Sequence, residues 1–273
     1  MKKFSLALVL LMIVSMLAGC AVVERVADIA GVLKDPASVL EGKVETFPAP
    51  DHAEVTEATE SATEETEPAT EAVEATEPAT EAAEENTVSM GRLVGGVYSN
   101  SYTGYACELN TNWEFYSAEE LQDMPQNVAE MMGDSELLDD ETVLSQFTDM
   151  MAENVEELVT INVLYQKLSL DERLGYAMMG EKELLEAMLG ERGAMEAAYA
   201  NAGILVDNME TVTINFLGEE RVAMHTEASI QGVPYYTLQL FDFDLGAYGV
   251  TLTLASFAED NTMSLADLFY AVD

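Results

Sequence analysis

The chain has 273 residues, with 51 acidic side chains against 11 basic ones and a formal net charge of −40. That balance excludes nucleic acid as a natural partner, since a polyanion is repelled, and permits a cationic peptide or protein or a loosely held metal ion. Two cysteines and two histidines restrict the nucleophilic and acid–base chemistry the chain can support.

At the N-terminus, Lys2 and Lys3 precede an apolar run from Phe4 to Leu17, and Leu17-Ala18-Gly19-Cys20 closes it. This order of a basic start, an apolar run and a small-residue site ending in cysteine resembles a bacterial lipoprotein signal. The resemblance implies that Cys20 carries a diacylglyceryl group and becomes the first mature residue. The run is shorter than the about 20 residues needed to span a bilayer. Each buried CH₂ of such an anchor contributes about 0.8 kcal/mol, so two chains hold a protein stably. The expected location is the cell membrane, lipid-anchored and facing the extracytoplasmic side. An ordinary secretory signal containing Cys20 is the alternative.

Residues 21–44 are a membrane-proximal segment in which Val22, Val26, Ile29 and Leu33 recur at helical spacing, with Pro36 limiting any helix. Between 45 and 87 the composition changes to Glu, Thr, Ala and Pro, with 14 acidic residues, no lysine or arginine, and His52. Such a tract cannot bury enough apolar surface to offset its ordering entropy. Thr-Glu-Pro-Ala-Thr-Glu-Ala at 66–72 returns at 76–82, a low-complexity recurrence with nothing to form a core. It reads as a disordered linker able to reach at most about 150 Å.

Residues 88–273 are long enough for one globular domain, whose 33 acidic and 6 basic side chains leave it at −27 without the linker. Alternation around Tyr98, Tyr105, Cys107 and Leu109, broken by Asn100, Ser101 and Gly104, predicts a hairpin. Ser117 and Glu120 have capping-box spacing at a helix start, and Pro125 ends or interrupts that helix. Val143, Phe147, Met150 and Met151 form a stripe that predicts a helix over 141–153. A strand is expected over 158–168, with Val159, Ile161, Val163 and Tyr165 on one face. A long helix is expected over 180–202, stopped by Gly203. Four alternating segments follow, at 209–217, 220–231, 235–244 and 248–257, and then a helix over 264–272 with Ser264 and Asp267 as its cap. This order indicates an α+β fold, a central antiparallel sheet flanked by helices.

Gly96-Val97-Tyr98-Ser99-Asn100 with Gly104-Tyr105, the segment from Leu109 to Trp113-Glu114-Phe115, and the closing strands and helix resemble the PsbP/DcrB-like group of bacterial lipoproteins. The resemblance covers 95–273 and implies an α/β/α sandwich behind an acidic linker. It carries over framework residues and no catalytic one. Cys107 stands where an apolar residue is usual, which bears on packing.

The domain has one histidine, His225, and one cysteine, Cys107. It has no Gly-x-Ser-x-Gly elbow, His-Glu-x-x-His site, phosphate loop or Gly-x-Gly-x-x-Gly turn. His225-Thr226-Glu227 matches half of a zinc-deaminase signature, but Pro-Cys-x-x-Cys is missing. Asp242 and Asp244 near Gly246 lack the other ligands of a calcium loop. Met131, Met132, Met150, Met151, Met178 and Met179 read as core packing, with copper or peptide binding as the alternative. Cys107 alternates with Tyr105 and Leu109 as a buried small hydrophobe. No metal and no cofactor besides the lipid on Cys20 is expected.

A three-residue turn at Gly232-Val233-Pro234 places Ile230, Ala228 and Thr226 opposite Tyr236, Leu238 and Leu240. His225 then pairs with Phe241 and Glu227 with Gln239. The resulting candidate binding surface comprises Arg221, His225, Tyr235, Phe241 and Phe243, and its bland counterpart is a polar sheet face partly covered by a helix. The expected function is a non-enzymatic binding or interaction domain displayed at the bacterial cell envelope. The alternative is an envelope hydrolase or peptidase using His225.

Overall fold

The computed structural model describes residues 91–122, 146–243 and 246–272. All lie inside the expected 88–273 segment. The signal, the membrane-proximal segment, the linker, Pro125, Met131, Met132, Val143 and Asp244 lie outside the described residues.

The chain opens with β1 (Arg92–Val94), β2 (Val97–Asn100) and β3 (Tyr105–Glu108). The hairpin expected around Tyr98 and Tyr105 is present, with Tyr98 opposite Cys107. After β4 (Glu114–Phe115) the capping box forms: Ser117 N–H donates to Glu120 Oε2 at 2.7 Å and Glu120 N–H to Ser117 Oγ at 3.3 Å, opening a helical turn over 118–122.

Next come β5 (Gln146–Asn154) and β6 (Val159–Lys167), paired antiparallel. The helix expected over 141–153 is therefore replaced by a strand wherever that stretch is described. A register shift between Thr148 and Met150 leaves Asp149 as the extra residue. That bulge breaks the two-residue period and leaves Phe147, Met150 and Met151 at a spacing that imitates a helical stripe. In β6 both faces are buried, Val159, Ile161, Val163 and Tyr165 on one and Thr160 and Asn162 on the other.

Then follow α1 (Leu170–Ala177), α2 (Glu181–Gly190) and α3 (Arg192–Asn201). The sequence reading overlooked α1, although Ser169 and Glu172 form a second capping box at its start. The expected helix over 180–202 is two helices broken at Glu191, whose φ of −102° and ψ of 17° lie outside helical values. Gly190 and Gly193 flank that break and supply the backbone freedom for it. Gly203 ends α3 at a φ of +78°, as expected.

The meander is β7 (Ile204–Phe216), β8 (Glu219–Ile230), β9 (Val233–Asp242) and β10 (Tyr248–Phe257). The chain closes with α4 (Thr262–Ala266) and β11 (Phe269–Ala271). This corrects the helix expected over 264–272. Its second half pairs with β3, Phe269 opposite Cys107 and Ala271 opposite Tyr105, so long-range pairing overrides the local helical spacing. The cap is not Ser264 with Asp267. Asp260 Oδ1 instead accepts from the Thr262 backbone N–H at 3.1 Å and hydroxyl at 2.7 Å.

The strands form two antiparallel sheets, a large one ordered β4-β5-β6-β10-β9-β8-β7 and a small one ordered β1-β2-β3-β11. Helices α1 to α3 cover one face of the large sheet, where Tyr176, Leu185, Met188, Met195 and Tyr199 pack against Met224, Tyr235, Phe241 and Phe257. On the other face Tyr98, Tyr105, Cys107, Leu265 and Phe269 pack against Tyr165, Phe216, Leu238 and Leu252. The fold is α+β as expected. The second face is closed by the small sheet together with α4.

Candidate functional site

The candidate surface of Arg221, His225, Tyr235, Phe241 and Phe243 is divided by a correction to the register. Ile230 pairs with Val233, Ala228 with Tyr235 and Thr226 with Thr237. The turn is therefore Gln231-Gly232, two residues with φ of +52° and +83°. Both in the left-handed region, they have the twist that matches antiparallel strands. His225 accordingly pairs with Leu238 and Glu227 with Tyr236, in place of Phe241 and Gln239. The sequence argument assumed one wet face. Both faces here are covered, so the apolar pattern does not select a register.

Tyr235 is fully buried, its ring 4.7 Å from that of Phe257. Phe243 stacks on Tyr176 at 4.4 Å and lies 5.9 Å from Phe241. The β8–β9 ladder begins at Met224 and Gln239, and next to it Glu181 enters from α2. Its carboxylate accepts from Val222 N–H at 3.2 Å and from Arg221 Nε at 2.9 Å, while Arg221 Nη2 donates to Asp242 at 2.7 Å. A hollow of about 400 Å³ borders Arg221, Phe241 and Phe243. Those three are brought together, whereas His225 and Tyr235 lie elsewhere. Arg221 is already committed to two carboxylates, which makes it a structural tie between α2 and the sheet.

His225 is 7% exposed and holds Asp260 Oδ2 at 3.0 Å from Nε2. Burial raises the Asp260 carboxyl, but hydrogen bonds from Thr262 and the adjacent His225 outweigh it and hold the group below its ordinary value. Cys107 has no exposed surface, and burial pushes its thiol up to about 12. It is a packed hydrophobe and not a nucleophile.

A further opening is one the sequence reading missed. A cleft of about 780 Å³ runs beside the first half of β5, walled by Leu93, Phe115, Tyr116, Leu121, Phe147 and Met150. Gln146 lines it at 8% exposure, and among the described residues neither its amide oxygen nor its amide nitrogen has a hydrogen-bond partner. An unsatisfied buried amide costs about 1–3 kcal/mol, and this one sits at the wall of an opening, where a ligand or water can reach it. Beside it the buried Asp149 accepts from Gly91 N–H at 2.8 Å, Tyr98 Oη at 2.6 Å and Asn100 Nδ2 at 2.7 Å. Burial and then the Asp149 charge raise the Tyr98 phenol far above its ordinary value, so it remains a donor. The signal for this cleft in the sequence was weak, because the stretch containing Gln146 and Asp149 carries helical spacing.

A two-sheet α+β domain with an open, largely apolar cleft is the class that fold and site define. No protein-family model matches the chain, and no curated protein matches it. Among solved structures it is similar to the solution structure of cyanobacterial PsbP (CyanoP) from Synechocystis sp. PCC 6803. The two share 13% identity over 64% of this chain and 91% of that one, with a TM-score of 0.37. A likeness of that size carries no functional argument.

Proposed function

We propose that the chain is a lipid-anchored protein that displays a non-enzymatic, PsbP-like binding domain on the extracytoplasmic side of a bacterial membrane, with the cleft beside β5 as its ligand site. The observation that carries the binding site is Gln146, a buried amide with both polar atoms unpartnered in an apolar cleft. Its donor and acceptor would orient a ligand whose apolar body fills the walls. The acidic domain surface favours ligands or protein partners of cationic character. Cys20 supplies the anchor.

Two measurements test this reading. Intact mass of the membrane-fraction protein beside a Cys20→Ala variant reads the anchor: a thioether-lipid mass lost in the variant is expected, and an unmodified soluble wild type overturns the location. Binding of the neutral apolar dye Nile red reads the cleft. One saturable site that weakens in Leu121→Glu is expected, and equal dye binding by both proteins overturns it. Gln146→Met removes the unsatisfied amide and is expected to raise stability by about 1 kcal/mol in denaturant titration. A loss of stability would show that the amide serves the fold.

A second reading, an envelope hydrolase or peptidase, draws on the His225–Asp260 hydrogen bond, which has the form of a base and its orienting carboxylate. It requires turnover that disappears in a folded His225→Ala variant.

A further inference from the structure

A second set of functional side chains lies away from the cleft, on the face of β7 and β8 that carries His225. The register places Glu210 directly opposite His225, and Glu227 follows two residues later on β8 and so points to the same side. One carboxylate oxygen from each glutamate and one ring nitrogen of His225 lie within 4.8 Å of one another. From that span, side-chain rotation alone brings three ligand atoms to the distances of one shared cation.

The imidazole is prepared for this. Asp260 has its Oδ1 occupied by the Thr262 hydroxyl and backbone N–H, and its Oδ2 faces His225 Nε2 at 3.0 Å. The carboxylate only accepts, so the proton belongs on Nε2 and the lone pair on Nδ1. A carboxylate behind the imidazole is the arrangement that orients a metal-binding histidine and raises its basicity. The ring is buried, and among the described residues Nδ1 has no hydrogen-bond partner. Neither Glu210 nor Glu227 has a hydrogen bond or ion pair among the described residues. Nearby cations are engaged elsewhere: Arg221 holds Glu181 and Asp242, and Arg192 holds Glu196. Two carboxylates held together on paired strands without a counter-charge repel, and a divalent ion between them removes that repulsion.

We propose that Glu210, His225 Nδ1 and Glu227 bind one divalent transition-metal ion of the zinc or manganese class, with Asp260 as the positioning residue behind the imidazole. One nitrogen and two carboxylate ligands suit these ions, whereas calcium prefers oxygen ligands alone. Glu210 is exposed, so the remaining coordination positions are open to water or to a ligand group from a partner. The site stands independently of the cleft.

The test is calorimetric titration of the full chain in mild detergent with Zn²⁺, and separately with Mn²⁺, at physiological salt. The acidic linker and His52 provide a background, so each titration is repeated on His52→Ala and on E210Q/E227Q. The expected result is one saturable site per chain for at least one of the two ions. It is retained in His52→Ala, lost in E210Q/E227Q, and weakened about 10- to 100-fold in Asp260→Asn. The same ion should raise the Tm of wild type and not of E210Q/E227Q. Circular dichroism checks the fold of each variant, and the single E210Q variant, altered at an exposed position, supplies the comparison if the double variant loses its cooperative melt. Equal binding by wild type and a folded glutamate variant would assign the ion to the linker and overturn the proposal. Absence of any saturable site would overturn it as well.

Discussion

Asp149 shows how much one residue can decide. A carboxylate in a bulge serves three donors, Gly91 just before β1 and Tyr98 and Asn100 in β2, and Asn100 Nδ2 also donates to Tyr165 Oη at 2.8 Å. It therefore ties Gly91, where the described domain begins, to the large sheet. Gly91 is required there, since a Cβ would run into the Tyr98 ring. Asp149→Ala orphans the buried donors, and the expected loss is about 3 kcal/mol in denaturant unfolding. Tyr98→Phe removes one donor and should cost less. A loss within error for Asp149→Ala would show that the network does not hold the first strands.

Also at this scale, the lowered Asp260 carboxyl gives a pH dependence whose sign is fixed. A carboxylate depressed in the folded state contributes stability that is full above its unfolded value, about 3.9, and is lost as pH falls through the lower folded value. Thermal melts in the presence of a chelator should show wild type ahead of Asp260→Asn at neutral pH, with the two converging in acid. Curves that stay parallel down to strong acid would exclude the Thr262 and His225 contacts as the source.

At the scale of elements, the two tight hairpins carry the register of the meander. Leu217-Gly218, with φ of +55° and +86°, joins β7 to β8, and Gln231-Gly232 joins β8 to β9 in the same way. Asparagine tolerates the left-handed conformation better than glutamine does, so Gln231→Asn is expected to stabilise by about 0.5 kcal/mol. A drop in Tm would argue against this turn. The β8–β9 turn was half legible: Gly232 marked it, but Gln231 before it carries no turn signal. Elements with strong local chemistry, such as the Ser117 cap, the β2–β3 hairpin and the Gly203 stop, were read directly. The strand at 146–154 was misread because its bulge mimics a helical repeat. The strand at 269–271 was misread because its partner, β3, lies more than 160 positions earlier.

At the scale of the molecule, 33 acidic side chains among 39 charged ones in residues 88–273 set a strongly repulsive field. Screening should relieve it, so Tm is expected to rise as sodium chloride increases from about 10 mM to about 0.5 M, where the Debye length falls below 10 Å. An unchanged or falling Tm would mean that local pairs, such as Arg221 with Glu181 and Asp242, outweigh the overall repulsion. The metal site belongs to the same account, since a divalent ion neutralises charge where two glutamates are held together.

The sequence by itself determined the charge, the cysteine-terminated apolar start, the acidic low-complexity tract, the α+β order and most strands of the meander. These follow from composition and short-range periodicity, which act within a few residues. Only the tertiary structure decided which candidate residues meet. It separated His225 and Tyr235 from Arg221, Phe241 and Phe243, opened the cleft at Gln146, and brought Glu210 and Asp260 to His225 from 15 and 35 residues away. The physical reason is that both faces of the large sheet are covered. Hydrophobic alternation then no longer distinguishes inside from outside, and strand pairing over long separations sets the neighbours.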